Sequence, residues 1–319
     1  MYDQLASLDA IRINFNEAGI NTINIVLAFI MFGVALGIRP RMFKEVFSKP
    51  KSIITGLCLQ WIGLPAITFL LILLLYRWIT PMIALGMILV ASCPGGNISN
   101  FMSSFSKGNT ELSVSMTAVS TCTATFITPI NFAFWGKMYM NLLDRKSAIE
   151  IPELAISFWP MFWQVLILLG IPIILGILFT HYCPKWTEKL KKPMQVTSLL
   201  FFFAMVIISF SQNFTLFIQH IWYVFFIVLL HNALALSLGY GGASLMKLPQ
   251  VDRRSLTIEV GIQNSGLGLV LLFNPNIFPQ EGIGGMLFIT AWWGIWHILS
   301  GLTIATLFRH KPLPAHDVA

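Results

Sequence analysis

Long apolar runs separated by short polar stretches dominate this chain, and many of the runs are long enough to cross a membrane. An α-helix needs about 17–25 mainly apolar residues for that. Nine such segments can be drawn, at about 20–38, 52–76, 82–105, 112–136, 155–180, 194–211, 217–246, 255–274 and 283–308. The pattern predicts an all-α polytopic membrane protein with nine transmembrane helices. It leaves an N-terminal extracytoplasmic segment over 1–19, a membrane domain over 20–308 and a cytoplasmic tail over 309–319. The third and eighth segments are the weakest by hydropathy, because each has a polar, glycine-containing centre.

Composition supports this reading. Of the 319 residues, 56% are hydrophobic and only 10% charged, whereas a soluble domain carries about 25% charged residues. A net charge of +7 in a soluble protein would suggest a nucleic-acid partner. Here the basic residues sort by loop instead, so the lipid bilayer is the expected partner and nucleic acid is not. With the N-terminus outside, fifteen of the 20 Lys and Arg residues face the cytoplasm, among them Lys185, Lys189, Lys191 and Lys192. Only Arg12, Arg77, Lys137, Arg145 and Lys146 face out. Positive charge favours the cytoplasmic side, so the asymmetry fixes the orientation and supports an odd number of spans. The four cysteines lack metal-ligand spacing, and residues 1–19 lack the basic and apolar regions of a secretory signal.

The two weak segments resemble each other. One contains Cys93-Pro-Gly-Gly-Asn-Ile-Ser-Asn100 and the other Glu259-Val-Gly-Ile-Gln-Asn-Ser-Gly266. They lie five segments apart, so they cross in opposite directions. This predicts an inverted-topology repeat, about 20–136 and 155–308, with interrupted helices meeting near the midplane. Breaking a helix frees backbone N–H and C=O groups that lipid cannot satisfy. Pro94 removes one N–H, and Gly95 and Gly96 permit unusual dihedrals.

Glu259 carries the candidate chemistry. A charge at mid-bilayer costs roughly 2.5–3.5 kcal/mol and marks an ion or substrate path. Hard cations prefer carboxylate, hydroxyl, amide and carbonyl oxygens. The fourth segment offers Ser113, Ser115, Thr117, Ser120, Thr121 and Thr123, and the second offers Gln60. Ser113 and Thr117 share a helix face. A lone membrane hydroxyl ordinarily bonds its own helix, so these are candidates only as a group. His231 and His297 read as hydrogen-bonded structural residues, with a proton relay as the alternative. No His-x-x-x-His or Gly-x-Ser-x-Gly spacing supports an enzyme. The residues suit a carrier coupled to sodium, with a proton-coupled or exchange carrier of organic anions on the same scaffold as the alternative.

Four stretches together resemble the bile acid:sodium symporter family. They are Cys-Pro-Gly-Gly-x-x-Ser-Asn from Cys93, Lys107-Gly-Asn followed by Leu112-Ser-Val-Ser-Met-Thr, Leu256-Thr-Ile-Glu-Val-Gly-Ile-Gln-Asn-Ser-Gly-Leu, and Trp296-His-Ile-Leu-Ser-Gly. The resemblance implies a core domain with two discontinuous crossing helices beside a panel domain, in a nine-span form. It implies two Na⁺ ions and no organic cofactor. One ion would bind Ser99, Asn100, Ser113, Thr117 and Glu259. The other would bind Gln60, Glu259 and Gln263, with the carbonyls of Val260 and Ile262. An organic anion, bile-acid-like or a small carboxylate, would bind near Asn97, Ile98 and Asn264. Sodium-coupled import by alternating access is the expected mechanism, and the absence of a targeting segment favours a bacterial inner (plasma) membrane. Some relatives carry a small hydroxyl residue at 97 and Asn at 298, where this chain has Asn97 and Ile298, which leaves the substrate open.

Overall fold

The computed structural model describes residues 2–9, 25, 28–38, 50–146, 158–211, 214–279 and 281–314. Among them every extended element is helical. In chain order these are α1 (Tyr2–Asp9), α2 (28–35), α3 (Pro50–Leu75), α4 (Pro81–Ser92), α5 (Ile98–Phe105), α6 (Thr110–Lys146), α7 (Phe158–Tyr182), α8 (Pro184–Ser211), α9 (Phe214–Leu245), α10 (Gln250–Gly261), α11 (Ser265–Phe273) and α12 (Gly284–His310). Residues 20–24, 26 and 27 of the expected first segment and the link 147–157 fall outside the described residues.

Four stretches among the described residues are long and apolar enough to cross a membrane as single helices: Pro50–Leu75, Phe158–Tyr182, Ile221–Leu245 and Gly284–His310. The expected third and eighth segments are not continuous. Each is two short helices with a break, at 93–97 and 262–264. The fourth runs past its expected end to Lys146 with Pro129 inside it.

Packing explains why apolar residues occupy both faces of so many helices. On α3, Leu64 and Ile72 are buried, while Ile62, Leu70 and Leu74 are exposed. Trp159, Trp163, Ile167, Ile171 and Ile174 on α7 are exposed as well. In water, patches of that size would drive association; in a bilayer they face lipid. The buried core forms where α4 packs on α12 and α6, and where α10 packs on α9 and α5.

Within the expected N-terminal segment the described residues form α1. Helix α1 packs on α12 and α9, with Leu5 and Leu8 fully buried. Asp9 at its end lies against Thr80 and Gly285. Burial pushes its carboxyl up to about 7, against the opposing pull of the Thr80 hydroxyl and the Gly285 backbone.

Candidate functional site

The two breaks lie against each other. Helix α4 ends as Cys93 turns extended (φ −73°, ψ 156°), and Ile262 does the same after α10 (φ −117°, ψ 102°). Gly95 and Gln263 form an antiparallel bridge. Gly96 N–H donates to the Ile262 carbonyl at 2.9 Å, and Asn264 N–H donates to the Pro94 carbonyl at 2.7 Å. Each break thus satisfies backbone groups freed by the other, as a water-poor interior requires. The Gly261 carbonyl is met from outside the pair: Asn232 Nδ2 on α9 donates to it at 2.7 Å, and Ser300 Oγ on α12 donates to Asn232 Oδ1 at 2.6 Å.

Glu259 is fully buried in the last turn of α10. Ser99 Oγ donates to its Oε1 at 2.5 Å, and Ser113 Oγ is bonded to the same oxygen. Thr117 Oγ1 lies 3.2 Å from Oε1 and 3.1 Å from Oε2. Asn100 Oδ1 competes for the same hydroxyls, at 2.9 Å from Ser113 and 3.2 Å from Thr117. Three hydroxyl hydrogens therefore serve a cluster of oxygens that also includes two carboxylate oxygens and an amide oxygen. Counting the hydroxyl oxygens, acceptors exceed donors, a deficit that a hard cation of low charge or a proton on Glu259 can fill. The hydroxyls of Thr68, Ser92, Thr123 and Thr290 behave otherwise, each bonding a carbonyl of its own helix.

Gln60 reaches Glu259 because α3 is locally widened. Residues Leu59–Gly63 form a π-turn, closed by Leu64 N–H on the Leu59 carbonyl. Pro65 follows and cannot donate to the Trp61 carbonyl; Asn131 Nδ2 on α6 does so instead at 2.8 Å. The π-turn carries Gln60, fully buried, with Nε2 3.4 Å from the Glu259 carbonyl. Gly95 admits this approach: a Cβ there would come within 2.9 Å of Gln60 Nε2 and 3.1 Å of Glu259 Oε2. Gln263 Nε2 donates to the Val260 carbonyl at 2.8 Å. The Oε1 atoms of Gln60 and Gln263 are both buried without a hydrogen-bond donor. The Val260 and Ile262 carbonyls each have one partner, from Gln263 and Gly96, and keep a second lone pair.

Asn97, Ile98 and Asn264 border one cavity of about 550 Å³, together with Asn100, Thr117 and Gln263. Asn264 also caps α11 by accepting from Leu267 N–H at 3.1 Å. The two histidines separate. His231 Nε2 bonds Thr68 at 2.6 Å and its ring packs 4.6 Å from Trp293, which is a structural role. His297 borders the cavity instead; among the described residues the Nδ1 atoms of both rings have no hydrogen-bond partner. Asn131, Asn232 and Ser300 were not singled out from the sequence. The signal for Asn131 lay in Pro65, which leaves a carbonyl that some amide must meet.

The profile of the Sodium Bile acid symporter family matches residues 24–220. The chain is 32% identical to an "Uncharacterized sodium-dependent transporter" of Bacillus subtilis, over 91% of this chain and 83% of that protein. The chain belongs to the Sodium Bile acid symporter family. The family is one of transporters, and this places the protein outside the enzymes. A rice protein, "Probable sodium/metabolite cotransporter BASS2, chloroplastic", is 28% identical over 91% of this chain, which spans only 64% of the rice protein. The mouse "Ileal sodium/bile acid cotransporter" is 28% identical over 80% of this chain and 70% of its own length.

Proposed function

We propose that this member of the family is a symporter that imports an organic anion together with Na⁺ by alternating access. The observation that carries the reading is the excess of oxygen acceptors around Glu259. Ser99, Asn100, Ser113, Thr117 and Glu259 form the first ion site. Gln60, Glu259 and Gln263, with the Val260 and Ile262 carbonyls, form the second, and the orphaned amide oxygens of Gln60 and Gln263 support it. Both sites share the Glu259 carboxylate, so filling them draws the two interrupted helices together. The anion binds next to them, against Asn97, Ile98 and Asn264.

The architecture behind this reading has nine spans and an inverted repeat, with the N-terminus outside and the C-terminus in the cytoplasm of a bacterial cell. The antiparallel contact of two matched breaks supports the repeat, and the basic-residue asymmetry supports the orientation. Two Na⁺ carried with one monoanion move one net charge. A tenfold sodium gradient supplies about 1.4 kcal/mol per ion, and 100 mV adds about 2.3 kcal/mol. The sum, roughly 5 kcal/mol, sustains a several-thousandfold anion gradient.

The test is uptake into vesicles with sodium replaced by choline at fixed pH. Sodium-dependent accumulation is expected, abolished in Glu259→Gln while that variant still inserts. Accumulation that persists in choline and follows a pH gradient would assign the carboxylate to protons instead.

A further inference from the structure

The cavity beside the crossing has a second wall, away from the interrupted helices, and that wall carries a charge. Ile30, Met31, Val34 and Ile38, in and just after α2, line it with hydrocarbon, and Lys191 on α8 adds an ammonium. Among the described residues, Lys191 is the single lining side chain that carries a permanent positive charge, and no lining residue is acidic.

Its neighbours show why this lysine differs from an ordinary cytoplasmic marker. Lys185, Lys189 and Lys192 are exposed, and Lys189 spends its charge on the Trp186 ring at 5.5 Å. Lys191 is half-buried, on the same face of α8 as the buried Thr187 and Met194, at helical spacings of four and three. Gly37 lies beside its stem: a Cβ there would stand 3.7 Å from Lys191 Cε, an ordinary contact distance. The aliphatic stem thus lies along the apolar wall, and its charged head stays at the cavity. No carboxylate among the described residues pairs with it. A charge at an apolar surface gains most from a partner that leaves water with it. The crossing itself offers only amides and helix N-termini to an anion.

We propose that Lys191 is the charge-selecting residue of the transport site: its ammonium pairs with the acidic group of the carried anion while the hydrocarbon wall from residues 30–38 takes the apolar body. This rests on the transport reading above and assigns a residue that the matched motifs do not contain. It makes the substrate an amphipathic monoanion and predicts discrimination against uncharged isosteres of the same shape.

The experiment uses the full chain in lipid nanodiscs, first with sodium alone and then with decanoate, benzoate and cholate, each beside its methyl ester. Binding is read by calorimetry and by thermal stabilisation. The wild type should prefer at least one acid to its ester. Lys191→Gln should weaken that acid at least tenfold and leave the ester unchanged. Lys191→Arg should restore the preference, and Lys192→Gln should match the wild type. Sodium-alone stabilisation of Lys191→Gln should equal that of the wild type, which shows that the variant is folded and its ion sites intact. Retained preference for the acid in Lys191→Gln would overturn the proposal, and so would a wild type that binds none of the acids. A protein that sodium fails to stabilise, but whose preference for acids still depends on Lys191, would sink the sodium reading and uphold this one.

Discussion

Helix α10 carries two buried carboxylates whose surroundings differ in a way that separates structure from function. Asp252 lies in its first turn, 3% exposed. The partial positive charge of a helix N-terminus favours it there. Ser52 Oγ donates to Oδ2 at 2.5 Å and Asn109 Nδ2 to Oδ1 at 2.7 Å. Asn109 in turn ties down the start of α6, accepting from Leu112 N–H at 3.0 Å. Every acceptor has a donor, and the group pins three helices. Glu259 lies in the last turn of the same helix, where the dipole opposes a negative charge. Two of its three hydroxyl partners, Ser113 and Thr117, are shared with Asn100, and among the described residues two further amide oxygens nearby have no donor. The fold satisfies Asp252 with its own groups, whereas under the proposed function Glu259 is left for a mobile cation to neutralise. On that reading burial alone does not mark an ion site; an unbalanced count of donors and acceptors does.

The largest test of this contrast is to remove each acid in turn. Glu259→Gln should lower sodium-driven uptake about a hundredfold or more, in line with about 3 kcal/mol for breaking a buried charged contact. Full sodium-stimulated uptake by this variant would break the comparison. Asp252→Ala should instead destabilise the protein by about 1–3 kcal/mol, read as a lower unfolding temperature, with the half-saturating sodium concentration unchanged. A lost sodium response in that variant would show that the two ends of α10 are not separable.

Smaller effects sharpen the picture around Glu259. Gln60→Ala and Ser99→Ala should each raise half-saturating sodium several-fold, about 1 kcal/mol per lost oxygen ligand, as measured by sodium titration of thermal stability. Asn131→Leu should destabilise the π-turn by about 1 kcal/mol, because the Trp61 carbonyl loses its donor. Adding Pro65→Ala restores a backbone N–H for that carbonyl, so the double variant should recover part of the loss, and an additive cycle would disprove the pairing.

Asp9 on α1 supplies a pH-dependent test. Its folded-state pKa is raised from 3.8 to about 7, first by burial. Between those values the folded state binds more protons than the unfolded one, so stability falls as pH rises from about 4 to about 7 and levels off above that. Asp9→Asn should flatten this part of the profile of unfolding temperature against pH. An unchanged slope would mean that Asp9 is not docked against Gly285 in solution.

Much of the site was legible without coordinates because insertion into lipid penalises polar residues so heavily that the few present stand out. Glu259, Gln60 and the two glycine-rich centres announced themselves in this way. Ser113 and Thr117 did so through helical spacing, since residues four apart share a face whatever the rest of the fold does. The ordinary hydroxyls were harder to sort. Ser99 and Ser92 look alike in the chain, yet one meets Glu259 and the other bonds its own helix.

Local rules operate over one or two helical turns, so the chain alone established that α4–α5 and α10–α11 would be interrupted and that an acid would lie at one interruption. It could not reveal which distant groups would close the gaps. Asn232 meets Gly261 from 29 positions away and Asn131 meets Trp61 from 70, and one lysine of four on α8 borders the cavity beside Gly37 of another segment. Contacts of that kind depend on how helices pack side by side, and lipid, which solvates every apolar face alike, imposes no pattern from which they could be read.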